Sequence, residues 1–131
     1  MSFINIDLDD IQEPQPVPDG DYEVQIVDIP EVKTSNRTGQ EYLNFRLQIL
    51  NEPGAADIYD VVMLPASQES EESNTRRKLR LKRMCEAFGV SYSGGSINLE
   101  VFNGLRARAL LSVESDAEFG DKNRVRRYMA L

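Results

Sequence analysis

The chain contains no histidine. That absence removes the commonest general base and metal ligand, and with it Ser-His-Asp and Cys-His catalysis. Its one cysteine, Cys85, rules out an intrachain disulfide framework and a cysteine-based zinc site. No run of 18 apolar residues is present, so no membrane-spanning helix is expected. The opening MSFINIDLDD lacks the basic start and apolar stretch of a secretory leader, and the expected location is cytoplasmic. There is no P-loop, GxGxxG, HExxH or paired-cysteine motif. Asp7, Asp9 and Asp10 lack the glycine and distal glutamate of a calcium loop. Asn36-Arg37-Thr38 fits a glycosylation sequon without the secretory context to use it. Nothing points to a substrate, metal or cofactor, and the expectation is a protein without catalytic activity.

Basic residues are also missing from one region. Residues 1–32 hold nine acids and neither Lys nor Arg, a formal charge of −9. The net charge of the 131-residue chain is −7, so residues 33–131 carry +2. A length of 131 residues fits one domain. The overall charge argues against a nucleic-acid partner, but the distribution argues the other way, because local potential governs attraction for phosphate. Arg76, Arg77, Lys78, Arg80, Lys82 and Arg83 form one basic cluster. Arg106, Arg108, Lys122, Arg124, Arg126 and Arg127 form a second group. Eleven of the 15 basic residues are Arg, whose flat guanidinium stacks on bases and grips phosphate bidentately.

Residues 1–18 read as an acidic arm outside the folded body. Pro14, Pro16 and Pro18 at alternate positions favour an extended stretch. From residue 21 the pattern is mostly period two. Tyr22, Val24 and Ile26 share one face of a strand over 21–29. Leu43, Phe45, Leu47 and Ile49 share a face over 41–50, with Tyr42, Asn44, Arg46 and Gln48 on the other. A third strand spans 58–64. Leu81, Met84, Cys85 and Phe88 recur at helical spacing, acids precede them, and Gly89 supplies the stop. Residues 97–102 fit a short strand or a turn. A fourth strand spans 105–113 with Arg106 and Arg108 outward, a loop covers 114–123, and a fifth strand covers 124–131.

Three strands, a helix and two strands match the five-stranded OB-fold, a mainly β Greek-key barrel with its helix between strands 3 and 4. An open α+β sandwich is the alternative. The expected organisation is the arm over 1–18 and an OB-fold domain over 19–131.

The runs PDGDYEVQIVD, KTSNRTGQEYLNFRLQIL, RMCEAFGV, FNGLRARALLSVE and NRVRRYMAL resemble a phage-encoded family, domain of unknown function 669, over residues 18–131. The carrying positions are Pro18, Gly20 and Tyr22, then Lys33, Thr34, Ser35 and Gly39, then Asn123, Arg124, Val125, Arg126, Arg127 and Tyr128. The resemblance implies an OB-fold related to single-stranded-DNA-binding proteins that act beside replication and recombination genes.

An OB-fold binds single strands across strands 2 and 3 and the loops joining strands 1–2 and 4–5. Aromatics stack on bases and basic residues follow the phosphates. The candidates are Tyr42 and Arg46 on the second strand, Tyr59 on the third, Lys33 and Arg37 in the first loop, and Phe119 and Lys122 in the last. Arg106, Arg108, Arg124 and Arg126 extend the basic surface. Each has a plain alternative: strand-edge packing for the tyrosines, a loop anchor for Phe119, solvated charge for the rest. The helix cluster reads as a solvated face, an extension of the basic track or a partner surface.

Two functions follow. One is sequence-tolerant single-stranded DNA binding in phage replication or recombination. The other is a protein-interaction module of OB type that recruits replication or recombination factors, for which the net negative charge speaks. The arm lies over the basic face, presents Ile6-Asp7-Leu8-Asp9-Asp10 to a replication partner, or is a disordered solubilising tail. Strand edges of such barrels also offer a route to a homo-oligomer.

Overall fold

The structure, a computed structural model, describes residues 1–131. Six antiparallel strands and one α-helix follow in the order β1 Gly20–Val27, β2 Val32–Thr34, β3 Glu41–Ile49, β4 Ile58–Met63, α1 Glu71–Phe88, β5 Arg106–Asp116 and β6 Gly120–Met129. Two 3₁₀ turns, Ser93–Gly95 and Leu99–Phe102, lie between α1 and β5.

The first strand stops at Val27, short of the expected 21–29, and a further strand that the pattern did not predict, β2, follows it. Asp28 takes a left-handed φ of 72°, which breaks the pleat, and Pro30 has no N–H to give a ladder. The chain then re-forms as β2, so β1 and β2 pair with successive halves of the same edge of β3: Val27 lies opposite Arg46 and Val32 opposite Leu43. On its other edge β3 pairs with β4, and β5 lies between β1 and β6. The sheet is not closed. β4 and β6 approach each other but share no ladder of backbone hydrogen bonds. A closed five-stranded barrel is therefore not what the hydrogen bonding describes.

Alternation sets the inside. Val24, Ile26, Leu43, Phe45, Leu47, Ile58, Val62, Ala107, Ala109 and Leu111 are buried in one cluster. The helix adds Met84, Cys85, Ala87 and Phe88, while Leu81 is only partly buried. Ser70 caps α1 by accepting the Ser73 N–H at 3.0 Å, Glu71 and Glu72 favour the positive end of the dipole, and Gly89 ends it at a φ of 76°. The helix packs against β4, β5 and β6, at the side where the sheet stays open.

The last hairpin is longer than expected. Residues 114–123 do not form a loop, since Glu114 pairs with Lys122 and Asp116 with Gly120. Asp116 closes the turn by accepting the N–H groups of Glu118 and Phe119 at 2.8 and 3.0 Å. These bonds hold its carboxyl below the usual range. Within the hairpin Leu110 faces Arg127 and Leu111 faces Val125, leaving Arg126 as an extra, bulged residue. The bulge resets the alternation. Val125 and Tyr128, three apart, both pack on the core, and Arg126 and Arg127 are both exposed.

The arm is partly docked. Gln15 bridges to the segment before β4, with its N–H on Gly54 O at 2.9 Å and its carbonyl accepting Ala56 N–H at 2.8 Å. Val17 is buried in the core cluster. Residues 1–14 are exposed throughout.

Candidate nucleic-acid interface

The outer face of β3 and β4 gathers four of the expected residues in two rows. Lys33, Tyr42 and Met63 lie side by side across β2, β3 and β4, and Arg46 lies beside Tyr59. Lys33 stands on β2 rather than in a loop, and Arg37 is exposed in the turn that follows. Tyr59 is 62% exposed, because Ile58, Asp60 and Val62 take the inward positions of β4. A cleft of about 340 Å³ opens beside it, walled by Asp28, Pro30, Lys33, Asn44, Arg46 and Tyr59. The Asn44 Oδ1 atom is buried there without a hydrogen-bond partner.

The arginines of this face are not free. Arg46 reaches Asp57 at 2.8 Å and Asp28 at 3.1 Å, and these carboxylates, Asp57 foremost, push its pKa up. Arg108 pairs with Asp21 at 2.6 Å and Arg106 with Glu23 at 3.9 Å. Glu23 lies opposite Arg108 and Gln25 opposite Arg106, so both ion pairs run diagonally from β5 to an acid of β1. Arg106 and Arg108 lie beyond β1 from the Arg46–Tyr59 row. Phe119, 79% exposed, is at the hairpin tip. Lys122 faces Glu114, and Arg124 is 3.8 Å from the Glu114 carboxylate.

A second concavity lies between α1 and β6, about 820 Å³ in volume. Arg76, Arg80 and Arg83 line it from the helix, and Arg124, Arg126 and Arg127 from the strand. Its one acid is Glu86, and Leu79, Ala87, Val125, Tyr128 and Met129 supply apolar lining. Three arginines of each cluster, separate in sequence, thus meet in one groove. Arg83, Arg126 and Arg127 make no ion pair. Arg127 is not among the expected site residues, and the helix cluster reads chiefly as solvated charge. The sequence signal was the six-in-eight cluster itself; its facing strand was not readable, because the pairing of α1 with β6 depends on which sheet edge remains open.

Not all of the helix cluster serves the groove. Arg77 donates to Leu64 O at 3.0 Å and pairs with Glu69 at 3.2 Å, tying the helix to the end of β4. Arg80 holds one oxygen of Asp60, and the Tyr128 hydroxyl donates to the other at 2.7 Å. Burial pushes the Tyr128 hydroxyl well above its ordinary pKa, and the Asp60 charge and hydrogen bond push it further. Cys85 is buried in the core, and that burial raises its thiol. No three His, Cys, Asp or Glu side chains are grouped to hold a metal ion. No helix is long and apolar enough to cross a membrane.

Fold and site together define a small antiparallel β protein with an arginine-lined groove beside its single helix. The family model described as "Protein of unknown function (DUF669)" matches residues 4–111, and the chain belongs to that family. The matched segment includes most of the arm and stops within β5, so Arg124, Arg126 and Arg127 lie outside it. No curated protein matches the chain.

Proposed function

We propose that the protein binds single-stranded DNA without sequence preference or catalysis, on a body of OB type, in replication or recombination. The observation that carries this reading is the meeting of three arginines from each cluster in the α1/β6 groove, with one carboxylate among the lining residues. A row of guanidinium groups at a groove suits a phosphate backbone, which any sequence presents alike. Exposed Tyr59 on the neighbouring face offers a ring for a base. For the OB type speaks the strand sequence β4–β3–β1–β5–β6, with β1 and β2 taken as one bent strand and the helix between the third and fourth strands of that count.

One observation favours the protein-interaction module instead. Arg46, Arg106 and Arg108, the arginines of the outer sheet, are all held by carboxylates. Fluorescence anisotropy separates the two readings. The titrants are a labelled single strand of about 30 nucleotides, long enough for one site, the matching duplex and the matching RNA, each at low and high salt. The expected result is binding to the single strand over the duplex. The log–log salt slope should be about −0.7 for each phosphate engaged. Absence of binding at low salt would leave the interaction module.

A further inference from the structure

The α1/β6 groove has a complement on the same chain. Phe3, Ile4, Ile6, Leu8 and Ile11 all stand exposed on the arm, an unusual display of large apolar side chains for a soluble surface. Ile4, Ile6 and Leu8 alternate with Asn5, Asp7 and Asp9. In extended form residues 4–9 therefore carry one apolar side and one polar, largely acidic side. The groove offers the matching pair of surfaces: Leu79 and Val125 are apolar, and Arg126 and Arg127 are exposed and without carboxylate partners.

The backbone matches as well. β6 ends the strand order, and none of the backbone hydrogen bonds outside the ladders involves it. An unpaired edge is a template for a further strand. Seven extended arm residues span about 23 Å, as do seven residues of β6.

The root of the arm selects the source of that strand. Gln15 is bonded on both sides to the segment before β4, and Val17 is bonded through both its N–H and its carbonyl to the Asn123 side chain. Pro14 and Pro16 fix φ on either side of Gln15. A pinned, stiff root that leads the arm into solvent resists folding back and favours exchange between copies.

We propose that residues 3–9 of one copy add to β6 of a second copy. Ile4, Ile6 and Leu8 lie towards Leu79 and Val125, and Asp7 and Asp9 meet Arg126 and Arg127. Reciprocal exchange about a twofold axis gives a closed dimer. The inference stands whether or not the groove holds DNA; where it does, arm and DNA strand exclude each other.

Sedimentation velocity at low and high salt tests this on three chains: the full protein, a chain lacking residues 1–13, and Arg126→Glu/Arg127→Glu. The full protein should dimerise, with a dissociation constant that rises with salt. Both variants should weaken the dimer at least about tenfold. A charge swap keeps the test decisive. Asp7→Lys/Asp9→Lys alone and Arg126→Glu/Arg127→Glu alone should each stay monomeric, whereas their equimolar mixture should dimerise, since both exchanged contacts are then matched. A full protein that is monomeric at every concentration, a dimer that survives loss of the arm, or a mixture no more associated than its components would each overturn the proposal.

Discussion

The Tyr128 hydroxyl donates to Asp60 Oδ2 at 2.7 Å, joining β6 to β4 where these strands share no backbone ladder. Arg80 from α1 holds the other carboxylate oxygen, so one inward acid ties together both free sheet edges and the helix. Phe88 lies against the Tyr128 ring, centroids 5.4 Å apart, and fixes it over the core. Tyr128→Phe keeps that ring packing and removes only the hydrogen bond. It should lower unfolding free energy by about 1–3 kcal/mol, the cost of leaving a buried acceptor unsatisfied. Urea denaturation checks this, and an unchanged midpoint would mean that the bond does not join the edges.

The same hydroxyl gives a pH signature. Its pKa is raised in the folded protein above the ordinary 10.0, so the unfolded chain loses that proton first as pH rises. Stability from this group is complete below pH 10 and falls once the unfolded tyrosine ionises, at about 1.4 kcal/mol per pH unit. The fall ends only when the folded hydroxyl ionises too. Tyr128→Phe should flatten the alkaline limb of the stability curve by one proton relative to the parent. Parallel limbs in the two proteins would show that the hydroxyl ionises freely in the fold.

Two double substitutions separate the groove from the outer sheet. Arg83→Ala/Arg127→Ala removes groove arginines that make no ion pair. Arg106→Ala/Arg108→Ala removes arginines already held by Glu23 and Asp21. The first should reduce the magnitude of the salt slope for single-stranded DNA by about 0.7 per lost phosphate contact, and the second should leave the slope as it was. Anisotropy titrations across a salt series give both. The reverse pattern would move the interface to the outer face. Tyr59→Ala should separately weaken binding by about 1–3 kcal/mol if a base stacks there. Its melting temperature should stay near the parent's, because the ring is mostly exposed.

Much of this was legible in the chain. The inward set of β3 and that of β5 up to Leu111 follow from strict alternation, Gly89 from the αL stop it provides, and Tyr59 from the face opposite Ile58 and Val62; Val113, inward by the same alternation, is exposed. Where reading failed, the deciding contact was distant. Nothing local distinguishes a loop over 114–123 from a continued hairpin, because polar residues pair there at a surface. The early end of the first strand rests on Asp28 adopting a left-handed conformation, which Asp tolerates without advertising. Arg124 and Arg126 are expected on the basic surface without Arg127; the bulge exposes Arg127 as well, and bulges depend on the partner strand.

Phe102 belongs to the same group. The sequence placed it at the end of a strand or turn, whereas it is wholly buried from a 3₁₀ turn, its ring edge-on to Phe45 at 5.2 Å. One short turn thus fills the centre of the sheet. Phe102→Ala should cost about 3–5 kcal/mol, a large-to-small change at a fully packed site. A loss below about 1 kcal/mol would mean that the neighbouring residues collapse into the space.

Asn123 holds the root of the arm. Its Oδ1 accepts the Val17 N–H at 2.8 Å, and its Nδ2 donates to Val17 O at 2.8 Å and to Ser112 O at 3.3 Å. The amide is the one side chain of this size that completes both sides of a backbone unit, and neither a carboxylate nor an alkyl group does so. Asn123→Ala should therefore cost about 1–2 kcal/mol and release residues 15–18, with faster amide exchange at Val17 and faster proteolysis between the arm and β1. Asn123→Asp keeps the acceptor for the Val17 N–H and loses both donated bonds, so its exchange rate should fall between the two. Equal protection in all three proteins would show that the Gln15 bridge alone anchors the arm.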